Sequence, residues 1–279
     1  MKTIHVSQIA EAVKGLCMTA NYDLGEDVLA SFDKALQKEE SPTAVAILED
    51  LKENARIARE ERVPMCQDTG IAVIFAELGQ EVRIEGGLLI ETIHEGVRQG
   101  YLEGYLRKSI CDPFTRKNTG DNTPAVIHLE LVAGDQLKII IAPKGGGSEN
   151  MSALAMMKPA DGLEGIKRFV VQKASEAGPN PCPPVILGVG IGGNFEKVAL
   201  LAKRALLRPL GSTNSDPELA ALEEELLEKI NALGIGPQGL GGRTFALGVH
   251  VEKHPCHIAS LPVAVNVNCH AGRHKEVIL

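Results

Sequence analysis

The sequence contains no tryptophan, and aromatic residues fill only 3% of its 279 positions. A folded core must therefore be built from Ala, Val, Ile and Leu. Positive charge is in deficit. With 29 Lys and Arg against 36 Asp and Glu, the net charge is −7, which argues against nucleic acid or an anionic membrane surface as the main partner. No apolar run approaches the roughly 20 residues needed to span a bilayer. The N-terminal stretch MKTIHVSQIAEAVKGL has no long apolar centre and no small-residue cleavage site, so it does not read as a signal peptide. A soluble, cytoplasmic protein is the expectation. No Cys-x-x-Cys pair occurs among the six cysteines, which excludes a zinc ribbon and a ferredoxin-type run. Six cysteines are also too few for a disulfide scaffold at this length.

What is present reads as a mixed α/β (α+β) chain with a helical N-terminal part. Mixed sheets with packed helices follow, in a single compact unit spanning 1–279. The first sixty residues read as helical. Ser41-Pro42 opens one helix, followed by Ala44, Leu48, Leu51, Ala55 and Ala58 at helical spacing. The segments 70–79, 123–134, 136–143, 183–193, 244–254 and 260–270 predict strands. Helices are expected around 88–106, 162–177, 194–207 and from Ser215-Asp216-Pro217 to near Gly234. No repeat, low-complexity segment or long linker interrupts the chain.

Polar and glycine-rich stretches gather at the ends of these elements, where binding and catalytic groups concentrate. Three cysteines stand there: Cys66 in Met65-Cys66-Gln67-Asp68-Thr69-Gly70, Cys182 before Pro183-Pro184, and Cys269 at the end of the last predicted strand. Cys17 falls in an apolar helical pattern and reads as a small core residue. Cys111 carries no marker. Three thiolates would leave one iron of a four-iron cubane without a protein ligand, free to act as a Lewis acid. A second, local possibility is a zinc site from His254, Cys256, His257 and Cys269, although the spacing fits no common template. Cys256 otherwise reads as a small packed residue. The run Lys144-Gly145-Gly146-Gly147-Ser148 lacks the order of a Walker A loop. It reads either as a flexible turn or as a nest of amides with a lysine that takes an anion. Gly188-x-Gly190-x-Gly192-Gly193 has the wrong spacing for a dinucleotide fingerprint and predicts a tight strand-to-helix turn. Asp68 draws attention through its place beside Cys66-Gln67.

Taken together, MCQDTG, KGGGSENMSALAMMKPADG, CPPVILGVGIGG, GIGPQGLGG and SLPVAVNVNCHAGRH resemble, in that order, the class I iron–sulfur fumarate hydratases and the related L-tartrate dehydratases. The resemblance implies a [4Fe–4S] cluster on Cys66, Cys182 and Cys269, with one iron not ligated by cysteine. It implies substrate contacts at Gln67 and Asp68, a carboxylate-binding Arg107, a substrate-binding backbone at Gly145, Gly146 and Gly147 beside Lys144, and an active-site His257. Asp68 and His257 become candidates for proton transfer. The implied reaction is the reversible, oxygen-sensitive hydration of fumarate to L-malate, a step of the tricarboxylic acid cycle. L-Tartrate dehydration is the alternative within the same chemistry, and a non-catalytic zinc-binding protein the alternative of another class. KGGGSENMSALAMMKP looks more like the fumarases, while Arg208-Pro209-Leu210-Gly211-Ser212 is shared with tartrate dehydratases. The family also implies further substrate-binding groups on a separate β chain, hence a hetero-oligomer whose α subunit resembles this chain and whose substrate is a small dicarboxylate.

Overall fold

A computed structural model describes residues 2–279, which form mixed α/β architecture. The contacts gather into two compact units. The first holds the chain up to Leu24, Asn54–Gly146 and Arg273–Leu279; the second holds Gly25–Glu53 and Gly147–Gly272. The chain passes from one unit to the other repeatedly, so no linker marks a boundary in the sequence.

In the first unit, β1 (Lys2–His5) pairs in parallel with β3 (Val82–Glu85). A four-stranded sheet takes the order β10-β5-β2-β4, from β2 (Ile71–Gly79), β4 (Val126–Val132), β5 (Leu137–Lys144) and β10 (Lys275–Ile278). β2 runs parallel to β4 and antiparallel to β5. Alternate residues of β2 and β5, among them Ala72, Ile74, Ile139 and Ile141, join a core with α1 (Val6–Tyr22) and α4 (Leu89–Glu103). α1 offers Ile9, Val13 and Cys17 at helical spacing, and α4 offers Ile93, Val97 and Tyr101. The two helices approach closely because α4 carries Gly96 and Gly100 on the facing side. A Cβ at Gly96 would lie 2.6 Å from Val13, and one at Gly100 2.7 Å from Cys17.

In the second unit, α2 (Glu26–Leu36), α6 (Gly162–Ala177), α7 (Phe195–Ala205) and α8 (Pro217–Asn231) accompany a sheet of order β6-β9-β7-β8. Its strands are β6 (Ala153–Met157), β7 (Val185–Gly192), β8 (Ala246–His254) and β9 (Leu261–Asn268). β7 is parallel to β8 and antiparallel to β9. Val and Leu of β7, β8 and β9 pack against Ile166 and Val170 of α6 and Leu226 and Ile230 of α8. The expected turn after β7 is present, with Gly192 and Gly193 at φ 85° and 69°. Asn194 then caps α7 by accepting the Lys197 amide at 3.1 Å. Asp216 caps α8 in the same way, with Pro217 in the first turn.

The helix α3 (Pro42–Glu61) and the short helix α5 (Gly146–Glu149) complete the set. Four strands escaped the sequence reading: β1, β3, β6 and β10. All have five residues or fewer. β1 lies in the stretch that read as wholly helical, and its extended form depends on pairing with β3, far along the chain. Ala153–Met157 is rich in helix formers, yet it pairs with β9.

Candidate functional site

The Cys66–Gly70 turn precedes β2 and is held from beneath by buried side chains. The Tyr101 hydroxyl donates to the carbonyls of Thr69 (2.8 Å) and Gly70 (3.1 Å). Burial pushes that phenol up, so it stays a protonated donor. Asn122 Nδ2 donates to the Gly70 carbonyl at 3.2 Å, while its Oδ1 accepts the Ser109 amide at 2.6 Å. Arg273 Nη2 donates to the Asp68 carbonyl. Thr69 Oγ1 donates to the Arg107 carbonyl at 3.1 Å, which sets the exposed Arg107 beside the turn. Tyr101, Asn122 and Arg273 were missed by sequence reasoning. Their only signal was that buried polar residues need partners, and burial cannot be read from these positions alone.

Asp68 ties this turn to the glycine run. Its Oδ1 accepts the Gly70 amide at 3.1 Å and its Oδ2 accepts the Gly146 amide at 2.7 Å. The Lys144-Gly145-Gly146-Gly147 stretch is thus the end of β5 and the start of α5. Its Gly146 amide is already occupied by a carboxylate of the chain itself. Lys144 is buried, and its backbone crowds Gly70, where a Cβ would lie 2.7 Å away. Gly70 has φ 76°, so only glycine suits the position on both counts. Gln67 is exposed at the tip of the turn.

The motif residues of the second unit form their own cluster. Cys182, at φ 55°, precedes Pro183 and Pro184 ahead of β7. His270, the neighbour of Cys269, donates from its amide (3.4 Å) and from Nδ1 (2.9 Å) to the Cys182 carbonyl. Cys182 and Cys269 therefore sit on adjoining loops. Gln238, at φ 52°, donates from its amide (2.8 Å) and from Nε2 (2.7 Å) to the Pro183 carbonyl. This joins the GIGPQGLGG segment to the same corner.

His257 lies exposed in the loop between β8 and β9. Its Nδ1 accepts the Ala259 amide at 3.1 Å, so the neutral ring carries its proton on Nε2. Cys256 is exposed rather than packed, and its thiol donates to the Ser260 carbonyl at 3.3 Å, closing the loop. His254 Nδ1 bonds the Pro255 carbonyl at 2.8 Å. Among the described residues no three His, Cys, Asp or Glu side chains are grouped to hold a metal ion, in this stretch or elsewhere.

The cysteines differ in fitness as thiolates. All six are free. Cys17 is fully buried and its thiol is pushed up to about 12, which makes it a poor ligand. Cys66 and Cys269 are half-buried and Cys182 is exposed. Cys66 Sγ accepts the Asp68 amide at 3.4 Å, so its lone pairs face the turn's own backbone. Free, accessible thiols at turns suit an iron–sulfur cluster in donor chemistry.

The family model for fumarate hydratase (fumerase) matches residues 10–278. The chain belongs to the fumarate hydratase family. A protein of Methanocaldococcus jannaschii provisionally named L(+)-tartrate dehydratase subunit alpha is 44% identical over 272 residues, covering 95% of each chain. The L(+)-tartrate dehydratase subunit alpha of Escherichia coli O157:H7 is 32% identical over 278 residues, covering 98% of this chain and 91% of its own. The fumarate hydratase family is one of hydro-lyases, and both relatives carry the name of an alpha subunit. Among the described residues no helix is long and apolar enough to cross a membrane.

Proposed function

We propose that this chain is the cluster-binding alpha-type subunit of a [4Fe–4S] hydro-lyase that interconverts fumarate and L-malate. The observation that carries the reading is the Asp68 clasp. It ties a turn bearing an accessible cysteine to a glycine run, inside a chain that belongs to the family. Cys66, Cys182 and Cys269 would hold the cluster. When bound, it supplies a Lewis-acidic iron without a cysteine ligand, which eases departure or addition of hydroxide.

The chain's own residues then divide the remaining work. Removing a proton next to a carboxylate adds charge to a group already anionic, so positive charge and N–H donors must stand ready. Arg107, exposed beside the turn, and Lys144 provide the charge. Gly145, Gly146 and Gly147 allow the backbone to approach the substrate closely. Gln67 at the turn tip hydrogen-bonds a substrate oxygen. Asp68 and His257 transfer the proton, Asp68 as acceptor through a carboxylate oxygen and His257 as donor from Nε2. A β chain supplies the other carboxylate contacts, a division that the alpha-subunit names of the relatives support.

L(+)-Tartrate is the second reading, favoured by the names of the same relatives. An anaerobic assay of this chain with a matching β chain, offered fumarate, L-malate and both tartrate enantiomers, decides. Turnover of fumarate well above that of either tartrate is expected. Turnover of L(+)-tartrate alone moves the assignment to the second reading, and no turnover of any dicarboxylate overturns both.

A further inference from the structure

Arg273 is 3% exposed and belongs to the HAGRH segment, four residues after Cys269. Its Nη2 donates to the Asp68 carbonyl, yet Nε and Nη1 have no hydrogen-bond partner among the described residues. It makes no ion pair there either. The nearby carboxylate, that of Asp68, has one amide on each oxygen, from Gly70 and Gly146. A neutral donor would satisfy a carbonyl as well as a guanidinium does. What arginine adds is a buried charge, and an uncompensated buried charge costs stability. Such a group is kept where negative charge arrives.

Negative charge arrives at the Cys66–Gly70 turn. It comes with the Cys66 thiolate, with the anionic cluster it would ligate, and with a dicarboxylate. We propose that Arg273 is a positioning residue of the hydro-lyase, holding the turn through the Asp68 carbonyl and setting its positive charge beneath Cys66 and Asp68. This rests on the function proposed above. It assigns Arg273 a role distinct from substrate binding: Arg273 acts through the turn, and the turn acts on cluster and substrate.

The test compares the full chain with Arg273→Gln and Arg273→Lys by anaerobic hydrogen exchange. Iron and sulfide content, and kcat and KM with a β chain, are measured on the same samples. The amides of Gly70 and Gly146 report the Asp68 clasp directly. In Arg273→Gln they should lose protection by roughly tenfold or more while β7 and β9 keep theirs. Its kcat should fall by a larger factor than its KM rises, and Arg273→Lys should recover part of both. Unchanged protection at Gly70 and Gly146 overturns the proposal. So does a uniform loss of protection across both units, which marks a general role in folding, or a lysine variant no better than glutamine. If Arg273→Gln does not fold, Arg273→Lys decides by the same local-versus-uniform comparison. Wild-type chain that takes up no iron refutes the cluster reading, while the exchange at Gly70 and Gly146 still reports on Arg273.

Discussion

At Asp68 each carboxylate oxygen accepts a backbone amide, so the side chain has a structural duty before it has a chemical one. Asp68→Asn keeps the shape but points an NH2 group at one of those amides. Cluster content is expected to survive and turnover to fall by roughly the 10²–10⁴-fold typical of a lost acid–base group. Iron analysis and steady-state kinetics on the same preparation check this. Near-normal turnover would reduce Asp68 to a turn clasp. Asn122 is a cleaner structural probe. Asn122→Ala leaves the half-buried Ser109 amide without its partner and takes from the Gly70 carbonyl one of its two donors, Tyr101 remaining, at a cost of about 1–3 kcal/mol in urea unfolding. Sequence alone singled out Asp68 because it stands beside Cys66. It was silent on Asn122, Tyr101 and Arg273, whose importance comes from what they touch across long separations.

At the scale of elements, the approach of α7 to the sheet rests on glycine. A Cβ at Gly188 of β7 would stand 2.0 Å from the Ala202 carbonyl, and one at Gly190 2.2 Å from that of Val198. The glycines that resemble a nucleotide fingerprint therefore serve close packing of helix on strand. Gly188→Ala must push α7 away, and overpacking of this kind costs about 3 kcal/mol or more, measurable by urea unfolding. The neighbouring strand β8 carries His250, buried, with Nδ1 bonding the Ala205 carbonyl at 3.2 Å. Burial lowers its pKa from 6.5. The unfolded chain thus takes up a proton at higher pH than the folded one. This stabilising contribution is complete above about pH 6.5 and is lost as pH falls towards the lower folded value. His250→Asn should flatten that part of the stability–pH curve. A variant as acid-sensitive as wild type would show that the dependence arises elsewhere. Most long helices and buried strands were legible from period and caps, because those signals are local. The short strands were not, because pairing with distant partners is what makes them strands.

At the scale of the molecule, the five motifs divide between two compact units. The Cys66 turn lies in one, and Cys182 and Cys269 on adjoining loops in the other. The order of motifs along the chain was readable from the sequence; their distribution between units was not, because the chain crosses between units without a linker. The proposed function requires that Cys66, Cys182 and Cys269, and no other cysteines, hold an iron–sulfur cluster. The most direct measurement is bound iron and sulfide after anaerobic reconstitution of the chain and its six single Cys→Ser variants. Loss of cluster is expected in Cys66→Ser, Cys182→Ser and Cys269→Ser, with wild-type content in the variants of Cys17, Cys111 and Cys256. Full content in any of the first three, or loss caused by Cys256→Ser while Cys269→Ser keeps its cluster, would contradict it.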